Sequence, residues 1–463
     1  MKHVRKILFG ACMAYAYMGT AAAATDGRLQ SVLEQRFSGD RTGACVAAAM
    51  IDHDHISRSM VCADPSQHGR ISANSAFEIG SVSKTMTSAL LAELILQHKA
   101  SLDDPLSAWL PAGSKAPDFD GQPILLRHVV THTSGLPGLP SRIHPANPAN
   151  PYADLDEATL LASLGDVKLQ QAPGVQFGYS NYAMMLLSSA LARRVGTDLE
   201  SLMQERLFGP LGMKDAYIAK APEGVVPAVG HYPNGTVAPA WTFQTNLAGV
   251  GGVRATLDDM IHYVQAELGQ GKVDAATLAA LRLTQQPIKT ASGRPMAMNW
   301  MLPNVGQATI VIHEGGTGGF SSLVAFDPAS QRGLVLLSDT ALTNTGGLGE
   351  VALPLFDPTV PLRKSRRSLA APPALLDALA GDYRLQNGMT MTLRHKGDVL
   401  TVQVPGQPEF TMGYDSAGDF YPLKLDALLH PKHDPDGHDG FLWKQGGGVF
   451  SAERVAAPAA KTP

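Results

Sequence analysis

The sequence predicts a two-part chain: an α/β domain with a large helical middle, then a small antiparallel β-domain. Three observations carry this. Apolar residues recur at helical spacing in the first hundred residues and through much of 100–300. Three short strand-like runs, 308–314, 319–327 and 332–338, close that first part. A basic, Pro-rich stretch, "PTVPLRKSRRSLAAPPA", then gives way to alternating apolar and polar residues between turn signals. A chain of 463 residues is long enough for two domains, and 44% hydrophobic with 17% charged residues is globular composition.

The elements follow in chain order. "MKHVRK" is basic, the following "ILFGACMAYAYMG" is apolar, and "TAAAATDG" offers small residues for cleavage. Residues 1–24 therefore read as a secretory signal peptide, cut after Ala24. Its apolar run is short for a bilayer, and no other run is long enough to span one. Phe9 sits where a lipoprotein signal wants leucine, so Cys12 is not read as a lipid anchor. Export to the periplasm is the expected destination. Losing Lys2, Arg5 and Lys6 lowers the formal charge by three, from −4 to about −7. A mildly acidic exported chain has no electrostatic reason to bind nucleic acid.

Residues 27–37 have helical spacing. Cys45 and Cys62 flank "VAAAMIDHDHISRSMV", two apolar runs around a polar tip. A hairpin turning between His53 and Asp54 puts the two cysteines opposite each other, which in an oxidising compartment favours a cross-strand disulfide. Two buried free thiols are the alternative. "LPGLPSRIHPANPANPYADL" is the longest loop, and loops of this length border sites. The expected boundaries are 25–360 for the first domain, 361–374 for a linker and 375–456 for the β-domain.

The chemistry starts at "FEIGSVSK", residues 77–84. Alone, a serine here is an N-cap and Ser-x-x-Lys occurs by chance. The spacing nonetheless lets Ser81 and Lys84 share a helix face. A neutral amine there could take the serine proton, and the free N–H groups of a helix start could hold an oxyanion. Downstream, "GYSNY" presents Tyr179, Ser180 and Asn181 at another helix start, and "HEGGTGGF" presents His313, Glu314, Gly315 and Gly316 at a strand end. In isolation Tyr179 would read as a core aromatic and Asn181 as a cap.

Taken in order with "THTSGLP" and "RLFGPLGMKDA", these motifs resemble the penicillin-recognising serine hydrolases of the class C β-lactamase and D-Ala-D-Ala carboxypeptidase family, over roughly residues 27–357. The resemblance implies a β-lactamase/transpeptidase-like fold, a central antiparallel sheet flanked by helices with a helical subdomain. The C-terminal β-domain looks like the lipocalin-like barrel that some members carry. The resemblance makes Ser81 the nucleophile, Lys84 its hydrogen-bonded amine and Tyr179 the phenol that passes protons to the leaving group. Asn181 would orient Lys84 and hold a substrate amide. The backbone N–H groups of Ser81 and Gly316 would form the oxyanion hole, with His313, Glu314, Gly315 and Gly316 lining the substrate. No cofactor or metal is implied. The substrate would be a β-lactam, a D-amino-acid peptide or an ester, taken by a monomer.

Two departures from the class C β-lactamases stand out. Their third motif is Lys-Thr-Gly, where this chain has His313-Glu314-Gly315. A neutral imidazole can still bond Tyr179 or substrate. An ionised Glu314 would repel a substrate carboxylate. Either Glu314 points away, or the substrate lacks a carboxylate there, or it brings an amine. The β-lactamase reading leads. The alternatives are a D-Ala-D-Ala carboxypeptidase or D-aminopeptidase, a short-chain carboxylesterase, and a penicillin-trapping sensor without turnover. His430, His433 and His438 fit no standard zinc spacing and read as a solvated hairpin. Trp241, Trp300 and Asn344 are further candidates for the cleft, with core packing the alternative for the tryptophans. The chain has no Gly-x-Ser-x-Gly, so an α/β-hydrolase elbow is missing.

Overall fold

In the computed structural model, residues 27–455 are described except 343–346, 407, 424, 426, 434–438 and 446–447. The proposed signal peptide, Cys12, Asn344 and His438 lie outside the described residues. A five-stranded antiparallel sheet organises the first part. Its strands are β1 (Cys45–Asp52), β2 (His55–Cys62), β3 (Val311–Gly316), β4 (Ser321–Asp327) and β5 (Arg332–Ser338), in the order β3-β4-β5-β1-β2. The two ends of this first part thus build one sheet, and its long middle packs against it.

Both faces of the sheet are covered, so its strands alternate between two cores rather than between core and water. On one face Val46, Ala48, Met50, Leu334 and Leu336 meet Leu29, Leu33 and Phe37 of the helix at 27–37. On the other, Ala47, Ala49, Ile51, Val335 and Leu337 join the large core of the helical middle. The β1–β2 hairpin has the register expected from its cysteines: Cys45 faces Cys62, Asp52 faces His55, and the two sulfurs are bonded. His53 takes a left-handed φ of 54° in the turn.

The middle contributes α1 (Ser83–Leu96), α2 (Asn181–Val195), α3 (Leu257–Glu267) and α4 (Ala275–Thr284). α1 is buried along almost its whole length, which explains its near-continuous apolar and small residues. Ser180 caps α2 by accepting from the Ala183 N–H, and Gly196 ends it in the left-handed conformation. α5 (Gly349–Phe356) lies on the opposite face of the sheet, packing Val351, Ala352 and Leu355 into the smaller core.

The C-terminal part is a closed, eight-stranded, antiparallel barrel. Its strands are β6 (Gly381–Leu385), β7 (Thr390–Lys396), β8 (Val399–Gln403), β9 (Phe410–Asp415), β10 (Phe420–Pro422), β11 (Ala427–His433), β12 (Asp439–Gln445) and β13 (Gly448–Arg454). Each pairs with the next in sequence, and β13 returns to β6. Closure removes every sheet edge. Tyr383, Leu393, Leu400, Val402, Phe420, Leu429, Phe441 and Trp443 fill the interior. A short helix, α6 (Pro373–Leu379), adds Leu376 and Leu379 to that core.

Most of the basic stretch before the barrel is exposed, but Arg366 within it is buried and anchored. Arg366 ion-pairs with Asp419, and its N–H donates to Asp40 Oδ2 at 2.8 Å. Arg41 Nε bonds Asp415 Oδ2 at 2.8 Å while its guanidinium lies 3.3 Å from the Tyr421 ring centroid. These arginines and aspartates are buried at the junction. They are charge-assisted bonds that join residues 36–41, 366 and the barrel's 415–419 turn.

Candidate active site

Ser81 sits on a single 3-10 turn, Gly80–Val82, that leads into α1. Helical residues were expected from Ser81 onward, and the tighter turn refines this. In 3-10 geometry side chains at i and i+3 eclipse, which brings Lys84 under Ser81. Lys84 Nζ donates to Ser81 Oγ at 2.8 Å and to the Val250 carbonyl at 2.7 Å. Lys84 is fully buried, and no carboxylate among the described residues pairs with it. Burial holds its pKa well below the ordinary lysine range, favouring the neutral amine a base requires. Ser83 serves the backbone instead: its Oγ donates to the Gly80 carbonyl and accepts from the Val253 N–H.

Tyr179 lies just before α2, with its ring centroid 5.0 Å from Lys84 Nζ. The residue is 41% exposed, so one side of the ring faces solvent. Its hydroxyl is desolvated, which raises its pKa, and a hydrogen bond with Ser81 opposes that rise. Ser81, Lys84 and Tyr179 are therefore gathered at one point from two helix starts. Asn181 lies beside them but turns its amide to Tyr152, donating from Nδ2 to the hydroxyl at 3.1 Å, while Lys84 bonds Ser81 and Val250 instead. The Asn181 Oδ1 is buried without a partner. Tyr152 comes from the long Pro-rich loop, whose Gly138 carbonyl also accepts the Asn181 N–H at 2.9 Å, so that loop borders the site.

The edge strand β3 forms the opposite wall. It approaches the nucleophile turn so closely that two glycines are required. A Cβ at Gly315 would lie 2.0 Å from the Ile79 carbonyl oxygen, and one at Gly80 would lie 2.6 Å from the Gly316 nitrogen. Gly80 also has φ +49°. The Ser81 N–H belongs to a helix's first turn, where no preceding carbonyl within the helix takes it. It and the Gly316 N–H are thus brought to the same edge, the arrangement an oxyanion hole needs.

His313 faces the site and is buried. Its Nδ1 bonds the Asn299 carbonyl, which fixes the proton on that nitrogen. Burial, with Lys84 nearby, lowers its pKa to about 3, so it is a neutral imidazole. Glu314 corrects the expectation that it lines the substrate. Strand alternation sends it to the other face, where its carboxyl lies against Gly349 at the start of α5. Of the alternatives for Glu314, the one in which it points away holds.

Trp300 is core, fully buried with its indole N–H on Thr284. Trp241 is half-buried, bonded to the Ala149 carbonyl and set against Gly318 next to β3. His430 bonds Asp419 at 2.6 Å, and no metal-holding group exists among the described residues. Sequence reasoning missed Val250, Tyr152 and His132. The first acts through its carbonyl and carries no side-chain signal. His132 lies within "THTSGLP", a motif noted for its order and not for its histidine.

A buried lysine amine on a serine at a helix start, with a phenol alongside and two backbone N–H groups opposite, defines a serine acyl-transfer enzyme. The β-lactamase family model matches residues 29–350, and the chain belongs to the β-lactamase family of serine hydrolases. The chain is 30% identical over 373 residues to the D-alanyl-D-alanine-carboxypeptidase/endopeptidase AmpH of Escherichia coli, covering 73% of this chain and 92% of that one. It is 28% identical over 306 residues to a β-lactamase of Pseudomonas fluorescens, covering 59% and 82%. A solved class C β-lactamase shares the fold with a TM-score of 0.59 at 22% identity, covering 73% of this chain and 96% of that one.

Proposed function

We propose that the protein is an exported serine hydrolase that works through an acyl-enzyme on Ser81, with β-lactam amides as the first substrate class. One observation carries the reading: a buried lysine amine, paired with no carboxylate among the described residues, 2.8 Å from Ser81 Oγ. Ser81 Oγ attacks the carbonyl carbon as neutral Lys84 takes its proton. The Ser81 and Gly316 N–H groups hold the oxyanion. Tyr179 relays the proton to the departing nitrogen, the C–N bond breaks, and water then cleaves the ester to free Ser81.

A second reading, D-Ala-D-Ala carboxypeptidase, is supported by His313 in place of lysine and by the similarity to AmpH. Because Glu314 turns away, it does not repel the carboxylate that both substrate classes carry. We read 25–360 as the catalytic unit and 375–456 as an accessory barrel, in a periplasmic monomer.

The test is turnover of a chromogenic cephalosporin and of a D-alanyl-D-alanine peptide by wild type and Ser81→Ala. Wild-type hydrolysis of the cephalosporin that disappears in the variant is expected. Peptide turnover with no cephalosporin turnover replaces the first substrate class by the second. Stoichiometric penicilloylation without turnover of either would leave a sensor. Mass analysis of the exported chain checks for a mature N-terminus at Thr25.

A further inference from the structure

His132 is the feature of this site that the acyl-transfer scheme leaves unused. It is fully buried and takes a left-handed φ of 54°, a conformation uncommon for a residue with a side chain. Its backbone and ring hold the two residues that flank Tyr179. The Gly178 N–H donates to the His132 carbonyl at 2.8 Å, and the Ser180 N–H donates to His132 Nδ1 at 3.2 Å. The imidazole then stacks on the phenol, with ring centroids 4.1 Å apart and planes tilted by 30°. Phe177 also meets the imidazole edge-on, with ring centroids 6.1 Å apart.

We propose that His132 is a positioning residue: it fixes Tyr179 from three sides, by its carbonyl, its Nδ1 and its ring face, so that the phenol stays aimed at Ser81. This rests on the reading of Tyr179 as the proton relay. An accepting Nδ1 puts the proton of the neutral ring on Nε2, which is buried without a partner. Burial, then Lys84, His313 and Arg294, the charged or titratable groups that face it, lower its pKa well below the ordinary value. A neutral ring is what the Ser180 contact needs, since imidazolium would present a second N–H to the Ser180 N–H. The left-handed backbone turn is the local cost of placing one residue under both anchors.

The test compares wild type with Tyr179→Phe, His132→Asn and His132→Phe, reading the acylation rate of Ser81 by intact mass with a β-lactam, together with Tm. Asn tolerates the left-handed φ and offers an acceptor but no ring; Phe keeps the ring and loses the acceptor. Both histidine variants are expected to acylate about tenfold to hundredfold more slowly, with apparent affinity changed less than about twofold. Wild-type acylation in folded His132→Asn and His132→Phe, while Tyr179→Phe is slow, overturns the proposal. Fast acylation by Tyr179→Phe overturns the proton-relay reading instead. If the histidine variants do not fold, nitrogen NMR of the wild-type imidazole decides. A neutral ring with the proton on Nε2 from pH 5 to 8 supports the proposal, and protonation in that range or the opposite tautomer overturns it.

Discussion

Lys84 is the residue on which the chemistry turns. A lysine ordinarily stays charged at neutral pH, and here burial without a carboxylate favours the uncharged form. The active form is the neutral one, so lowering the pH through its depressed pKa protonates the amine and shuts off acylation. The acylation rate is expected to fall on the acid side and to plateau above it, checked by a pH–rate profile with a fixed β-lactam. Lys84→Ala should lower the acylation rate by about 10²- to 10⁴-fold, the range for a positioned base. Ser83→Ala, which loses bonds to Gly80 and Val253 but touches no reacting atom, should lower Tm and leave the penicilloyl adduct on Ser81. Tyr179 and Asn181 were recognisable in the sequence only in company. Each has an ordinary structural reading alone, and the motif order removes it. His132 had no such company, because what marks it is a ring contact between residues 47 positions apart.

At the scale of elements, the close approach of β3 to the nucleophile turn decides the site. Gly315→Ala would push a methyl into the Ile79 carbonyl, so the strand must retreat and take the Gly316 N–H with it. We expect a stability loss of about 2–4 kcal/mol, read as a lower denaturant midpoint, and acylation slowed at least as much as in Lys84→Ala. α3 carries a buried acid, Glu267. Glu267 has its pKa pushed up to about 8 by burial, while Gln285 donates to it at 2.6 Å. Because the folded value lies above the unfolded one, this group's contribution to stability is greatest in acid. It is lost as pH rises from about 4.5 to 8, where the unfolded chain releases the proton that the folded chain keeps. Glu267→Gln should flatten that decline and raise Tm at pH 8 by about 2–4 °C, measured by thermal melts across pH 5 to 9. The β1–β2 hairpin and the three strands from 308 to 338 were legible from apolar runs and turn residues. Their assembly into one sheet was not, since β1 and β5 pair across nearly three hundred residues.

Across the whole molecule, the basic, Pro-rich stretch read as a linker carries one buried arginine at the junction with the barrel. Composition cannot tell a solvated arginine from a buried one; the partners Asp40, Asp415 and Asp419 lie far away in sequence. Arg366→Ala leaves Asp419 without its arginine and takes the more distant of two arginines from Asp415. Breaking such a buried pair costs about 3–5 kcal/mol. The expected outcome is a barrel that melts separately and earlier in calorimetry, against a single transition expected for wild type. A single unchanged transition in the variant would mean that the arginine bonds do not couple the two parts. The barrel interior is filled by its own side chains.

By itself the sequence determined the local matters: where helices start, the cysteine register, the alternating strands, and a motif order specific enough to mark Ser81, Lys84 and Tyr179. These rest on periodicity, capping and turn chemistry, which act over a few residues. The tertiary structure alone decided which face Glu314 takes, why Gly315 and Gly80 must lack side chains, how burial lowers the Lys84 pKa, which ring lies against Tyr179, and where Arg366 finds its partners. Each of those depends on groups brought together from distant segments and on the water that this packing removes, and neither distance nor desolvation is written in local pattern.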